Sequence, residues 1–272
     1  MMVKSILFLF ISLLVQMQSS SFADEIKPYI CGLASGYPPY QFKDKDNKIA
    51  GLDVDIIRLV FQAAEKQLQL QQMDWDDAIA TLRFTPNLDC IAGMEKNSIR
   101  EKFFDFTSPY YSRKIVIFAL RSSHNITKIE DLIGHKITGD KHSSVEFFLE
   151  KNNLRKKIRI KSTKSKELSM RLLQSGEFVA MIAPKAVGLY LAKELHVDIK
   201  IIAEMEVGSP VSIAVKKGNI ELLAILENAL QALMEKGEII KGVGKWLNMD
   251  QDSAFITPED SHKYLFVDHS EI

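Results

Sequence analysis

The residues best suited to chemistry lie in one stretch from Leu88 to Tyr111, LDCIAGMEKNSIREKFFDFTSPYY. An apolar run after Asp89 ends in Ala92-Gly93-Met94, followed by Glu95, Arg100 and an aromatic segment. A buried strand that ends in small residues leaves backbone N–H groups facing a cleft. An arginine just beyond it can hold a carboxylate through two parallel hydrogen bonds. That combination suits recognition of a small anionic or zwitterionic molecule. The stretch holds no nucleophile paired with a base, no metal cage and no phosphate loop. The six histidines of the chain are scattered without ligand spacing, so no metal and no cofactor is expected.

Such a site needs a scaffold, and 272 residues are enough for a sizeable core in one or two domains. Lys+Arg and Asp+Glu both number 35, so the total charge gives no reason to expect nucleic acid as a partner. The local exception is the basic run Lys151 to Lys166, which reads as a solvated face around a short strand near Ile158 and Ile160. At the N-terminus, Lys4, an apolar run from Ser5 to Val15, and Ser21-Phe22-Ala23 have the layout of a secretory signal peptide, with cleavage expected after Ala23. That run is short for a membrane span, so an exported, soluble mature protein is expected. Cys31 and Cys90 are either bridged in an oxidising compartment or buried as free thiols; sequence leaves both open.

Periodicity places strands at Ile26–Leu33, Leu88–Ala92, Lys114–Leu120, Lys136–Gly139, Phe178–Ala183 and Val211–Val215. Helices are expected at Leu52–Gln69, Asp76–Leu82, from Ser143-Ser144 to about Asn152, Ser165–Ser175, Lys185–Leu195 and Glu221–Lys236, with a last piece around Trp246. Ser143 and Ser144 are candidate N-caps. Alternating strands and helices imply an α/β fold with largely parallel sheets. Asp250 to Ile272 shows no clear period and reads as a loosely packed tail.

Several phrases then follow one another in a telling order. They are Gly36-Tyr37-Pro38-Pro39-Tyr40, Gly51-Leu52-Asp53-Val54-Asp55-Ile56, Met73-Asp74-Trp75, Asp89 to Arg100, and Phe106-Thr107-Ser108-Pro109-Tyr110-Tyr111. After them come Asp131-Leu132-Ile133-Gly134, Gln174-Ser175-Gly176-Glu177, Val211 to Asn219, and Lys245-Trp246. Together, from about Tyr29 to Leu247, they resemble the polar amino-acid family of periplasmic solute-binding proteins, the receptors of ABC importers. The resemblance implies two α/β lobes, each a mostly parallel sheet flanked by helices, joined by two hinge strands. Residues 24–118 with 211–250 would form one lobe and 119–210 the other, with 251–272 as the tail. It implies a monomer in the periplasm that closes over a small polar solute and delivers it to a membrane permease.

Carried over position by position, the resemblance implies that Tyr37 and Trp75 pack on the solute and that Gly93 and Glu95 meet it through their backbone. Arg100 would clamp its carboxylate. Ser143 and Ser144 would offer hydroxyls and a helix N-terminus from the second lobe. Three departures stand out. Glu95 replaces a Ser or Thr, and His142 replaces a glycine in the second-lobe loop. Pro184 stands where the family places the aspartate that receives the solute's α-ammonium; Glu95 or Asp140 would have to take over that task, or the solute differs. Two other functions share the fold: a cyclohexadienyl dehydratase, with Glu95 and His142 as acid–base candidates, and a ligand sensor.

Overall fold

The computed structural model describes residues 27–139, 144–205 and 208–247. The expected signal peptide, Asp140, His142, Ser143 and the tail from 251 therefore lie outside the described residues, as does the side chain of Ser144.

Two mixed sheets organise the chain. The first contains β1 (Tyr29–Ala34), β4 (Leu68–Met73), β5 (Cys90–Glu95), β6 (Phe104–Phe106), β7 (Tyr111–Arg113) and β13 (Ser209–Lys216). Its order is β4-β1-β5-β13-β6, with β7 also on β13. The second contains β8 (Ile115–Leu120), β9 (Lys136–Thr138), β10 (Arg159–Lys161), β11 (Ala180–Pro184) and β12 (Ile199–Glu204), in the order β10-β9-β11-β8-β12. A small hairpin, β2 (Phe42–Lys43) with β3 (Ile49–Ala50), stands apart.

Each sheet has a parallel part, β4-β1-β5 in the first and β10-β9-β11 in the second. The strands next to the crossings, β8 and β13, run antiparallel to their neighbours. The expectation of largely parallel sheets therefore holds only for those parts. Strand β8 pairs with β11 and β12 from Ile115 to Leu120, so the change of sheet falls at Lys114. A boundary after Phe118 would cut a strand that belongs wholly to the second sheet. The return crossing lies between β12 and β13.

Helices cover the sheets: α1 (Leu52–Ala63), α2 (Trp75–Phe84), α3 (Ser144–Lys151), α4 (Lys166–Gln174), α5 (Lys185–Glu194), α6 (Ile220–Glu235) and α7 (Glu238–Leu247). In α1, Leu52, Ile56, Val60 and neighbouring Ile57 and Phe61 are buried, the stripe that helical spacing dictates. The helix stops well short of the expected Gln69. Glu65 adopts φ 54°, a left-handed conformation that ends the helix, and its N–H bonds Gln62 O at 3.1 Å. Leu68 and Leu70 then alternate with glutamines as β4, which runs parallel to β1. Leu68 also continues the helical spacing of α1, so periodicity alone could not separate helix from strand here.

Cys31 and Cys90 face one another on neighbouring strands β1 and β5, with Cα atoms 4.6 Å apart, and form a disulfide. This resolves the alternative left open by the sequence. Among the described residues no helix is long and apolar enough to cross a membrane.

Candidate functional site

The parallel strands of the first sheet end at one edge, and the loops leaving that edge face the second sheet's layer. Between them lies a cleft that is open to solvent. Brändén's rule puts ligands outside the carboxyl ends of strands in open α/β sheets, and this cleft is in that place.

The first-sheet wall carries Tyr37, Trp75, Gly93, Glu95 and Arg100, which line the cleft together. Tyr37 sits on the loop after β1, Trp75 opens α2, and Gly93 and Glu95 end β5. Arg100 begins a short 3₁₀ turn beyond β5. Its backbone N–H bonds Asn97 Oδ1 at 3.0 Å, and its Nη1 donates to Glu95 O at 2.9 Å. The guanidinium carbon lies 5.6 Å from the Trp75 ring centroid. A side chain so held has little rotamer freedom left to lose on binding. Arg100 is 8% exposed, far from the free surface arginine that the stretch alone would allow.

Behind that wall is a buried polar network. Asp53, fully buried on α1, accepts from Arg113 Nη2 at 2.6 Å and Gln41 Nε2 at 2.7 Å. It also accepts from the Tyr110 and Tyr111 hydroxyls at 3.0 and 2.9 Å. Burial pushes both phenols well above their ordinary pKa, so they stay protonated and donate. Burial works against the charge of Arg113, but Tyr111 and Asp53 beside it outweigh this and hold its pKa well above the usual value. The Arg113 guanidinium also lies 4.3 Å from the Tyr40 ring centroid and 5.2 Å from that of Tyr37.

Gly93 is where this network meets the cleft. Its φ is 71°, and its carbonyl accepts from Arg113 Nη1 at 3.0 Å. A Cβ there would run into the Asp53 carboxylate and the Gln41 amide. Only glycine lets the backbone approach this closely.

The opposite wall is Thr163, Lys164, Ser165 and Lys166, the segment that leads into α4. Ser165 caps that helix by accepting from Leu168 N at 3.1 Å. Lys166 is buried, and its Nζ donates to Ile182 O at 3.4 Å. The two walls come close: a Cβ on Gly36 would lie 3.6 Å from Ser165 Cβ. The solvated-face reading of the basic run holds for Lys151, Lys156 and Lys157 but not for Lys166.

Pro184 is buried at the end of β11, where it opens α5, and is not among the cleft-lining residues. Gln41, Arg113, Lys164 and Lys166 line the cleft without having been singled out from the sequence. A cation directly after Tyr110-Tyr111-Ser112 was the available signal for Arg113. For Lys164 and Lys166 the signal was the basic run itself, read as a solvated face, and Gln41 had none, because only folding brings it to the cleft.

Two α/β layers of this topology, joined by crossing segments with a polar cleft between them, make a periplasmic-binding-protein fold. An ancestral arginine-binding protein bound to arginine superimposes with a TM-score of 0.74 at 28% identity, over 82% of this chain and 99% of that one. A histidine kinase sensor domain with similarity to periplasmic binding proteins gives 0.74 at 25% identity, over 82% and 97%. The L-cystine-binding protein TcyJ of Escherichia coli strain K12 is 23% identical over 250 residues, covering 88% of this chain and 93% of TcyJ. The model of the bacterial extracellular solute-binding proteins, family 3, matches residues 29–249, and the chain belongs to that family.

Proposed function

We propose that this chain is an exported receptor that captures a small polar, carboxylate-bearing solute between its two layers and delivers it to an ABC permease. The observation that carries this reading is Arg100, mostly buried, held against Trp75 and lining a solvent-open cleft. A guanidinium fixed in this way is suited to grip a carboxylate. The names of related proteins, which bind arginine or cystine, point to the same class of solute.

In this reading Tyr37 and Trp75 form the aromatic walls, and Gly93 and Glu95 supply backbone contacts. Ser143 and Ser144 approach from the second lobe. The lobes follow the sheets, 27–113 with 209–247 for one and 115–205 for the other. The receptor works as a monomer in the periplasm, after cleavage behind Ala23. Closure needs no covalent chemistry: the solute touches both walls only when they are together, so binding shifts the population toward the closed form.

Calorimetric titration of the mature chain with amino acids and carboxylic acids tests the proposal, with small-angle scattering to follow compaction. Saturable binding with a smaller radius of gyration is expected. Turnover of prephenate or arogenate would replace the receptor by a dehydratase.

A further inference from the structure

Glu95 is the one carboxylate among the described residues that line the cleft. It is half-buried, and among the described residues no hydrogen bond or ion pair reaches its side chain. Burial raises the pKa of the Tyr40 phenol and the Glu95 charge adds to the rise, so the carboxylate lies within electrostatic reach of Tyr40. The other acceptors of this wall are spent. Asp53, behind it, shares its two oxygens among Gln41, Tyr110, Tyr111 and Arg113. Gln41 Oε1 already accepts from Ala34 N at 2.5 Å.

Arg100 and Glu95 are tied through the main chain and not through their charges. Arg100 Nη1 donates to Glu95 O at 2.9 Å, while no ion pair joins the Glu95 carboxylate to Arg100 or to Arg113. A guanidinium and a carboxylate thus stand on one wall without neutralising each other. An α-amino acid carries its carboxylate and its ammonium on a single carbon and can bridge the two. Water serves the acid while the cleft is open; once closure excludes water, a donor has to come from the solute. The described part of the second wall, Thr163 to Lys166, includes no carboxylate, and Pro184 brings neither charge nor N–H to the strand end where the resemblance predicts an aspartate. The acid missing at 184 is matched by one gained at 95, where the resemblance predicts Ser or Thr.

Resting on the receptor reading, we infer that the Glu95 side chain determines specificity: it receives the α-ammonium of the solute while Arg100 takes the carboxylate. Both charged groups of an α-amino acid are then held on the first-sheet wall. Carboxylic acids without the amine are disfavoured, because they would leave Glu95 without a donor and set their own negative charge beside it.

Calorimetric titration of the mature protein with amino acids and their des-amino counterparts tests this. The pairs are L-arginine with 5-guanidinopentanoate, L-glutamine with 4-carbamoylbutanoate, L-glutamate with glutarate, and L-cystine with 3,3′-dithiodipropionate. In every pair that binds, the amino acid should be the tighter by at least about tenfold. Glu95→Gln keeps the size of the side chain and removes its charge. The variant should lose at least about tenfold in affinity for the amino acid and none for the des-amino partner, so the preference within the pair collapses; damage to the fold alone would weaken both members alike. Glu95→Ser repeats the comparison with the residue type that the resemblance predicts, should Glu95→Gln not fold. Equal or tighter binding of the des-amino partners, lost in Arg100→Ala, would overturn this inference and leave the receptor standing. A preference that survives both Glu95 variants would overturn it too. Failure of every compound to bind would remove the receptor reading and this one together.

Discussion

Arg113 and Asp53, 60 residues apart in sequence, form an ion pair of 2.6 Å with both side chains almost wholly buried. Asp53 spends both oxygens on this network, and Arg113 braces the Gly93 carbonyl at the cleft edge. Removing one partner would leave the other charged and unmatched in the interior. Asp53→Ala is therefore expected to cost about 3–5 kcal/mol, a large part of an ordinary domain's stability. Urea unfolding at neutral pH measures it; a loss under 1 kcal/mol, on the order of a surface pair, would contradict the network's role.

Gly93→Ala tests the same junction from the backbone side. The new methyl would have to displace Asp53 or Gln41, and its positive φ adds strain. The variant should lose at least about 2 kcal/mol and bind solute more weakly, because the end of β5 can no longer hold its place. Wild-type unfolding and binding curves would show that the close approach is dispensable.

Arg100 stands apart from that network, so its removal should separate binding from folding. Arg100→Ala is expected to cost about 1.5–3 kcal/mol of binding, roughly 10- to 150-fold in Kd, with a smaller effect on thermal stability. Arg100→Lys should recover part of the charge but not the paired hydrogen bonds. Calorimetry with the solute identified by titration checks this, and unchanged affinity would take Arg100 out of the site.

The Cys31–Cys90 disulfide closes a loop spanning 59 positions. A loop of that length constrains the unfolded chain by about 4 kcal/mol in the chain-entropy picture. The Cys31→Ala/Cys90→Ala double variant should unfold at clearly lower denaturant concentration. Reductant should shift the wild type and leave the variant unmoved.

Asp105 ties β6 to the turn after β13, accepting from Lys217 Nζ at 2.6 Å and Gly218 N at 2.7 Å. Burial alone would raise its pKa, but these two donors prevail and lower it. A lowered folded-state pKa means stability that is present above the unfolded value and lost as pH falls through the folded one. Asp105→Asn should cost about 1 kcal/mol at pH 7, and the difference from wild type should shrink as pH falls below about 4. A gap that stays constant from pH 7 to pH 3 would show that the carboxylate's charge does not contribute.

Local patterns in the chain were enough for the long amphipathic helices and the apolar central strands, because a buried stripe or run is written in neighbouring residues. The order of short phrases carried the family, and the chemistry around Arg100 marked the first wall of the cleft. Tertiary structure decided the rest. It ended α1 at a left-handed Glu65 and turned Leu68–Met73 into a sheet edge. It also joined two cysteines on neighbouring strands, and it set Lys164 and Lys166 across from Arg100. The pairing of Arg113 with Asp53 likewise has no local signature. These outcomes depend on which segments meet in space, and a one-dimensional pattern records only what each segment prefers alone.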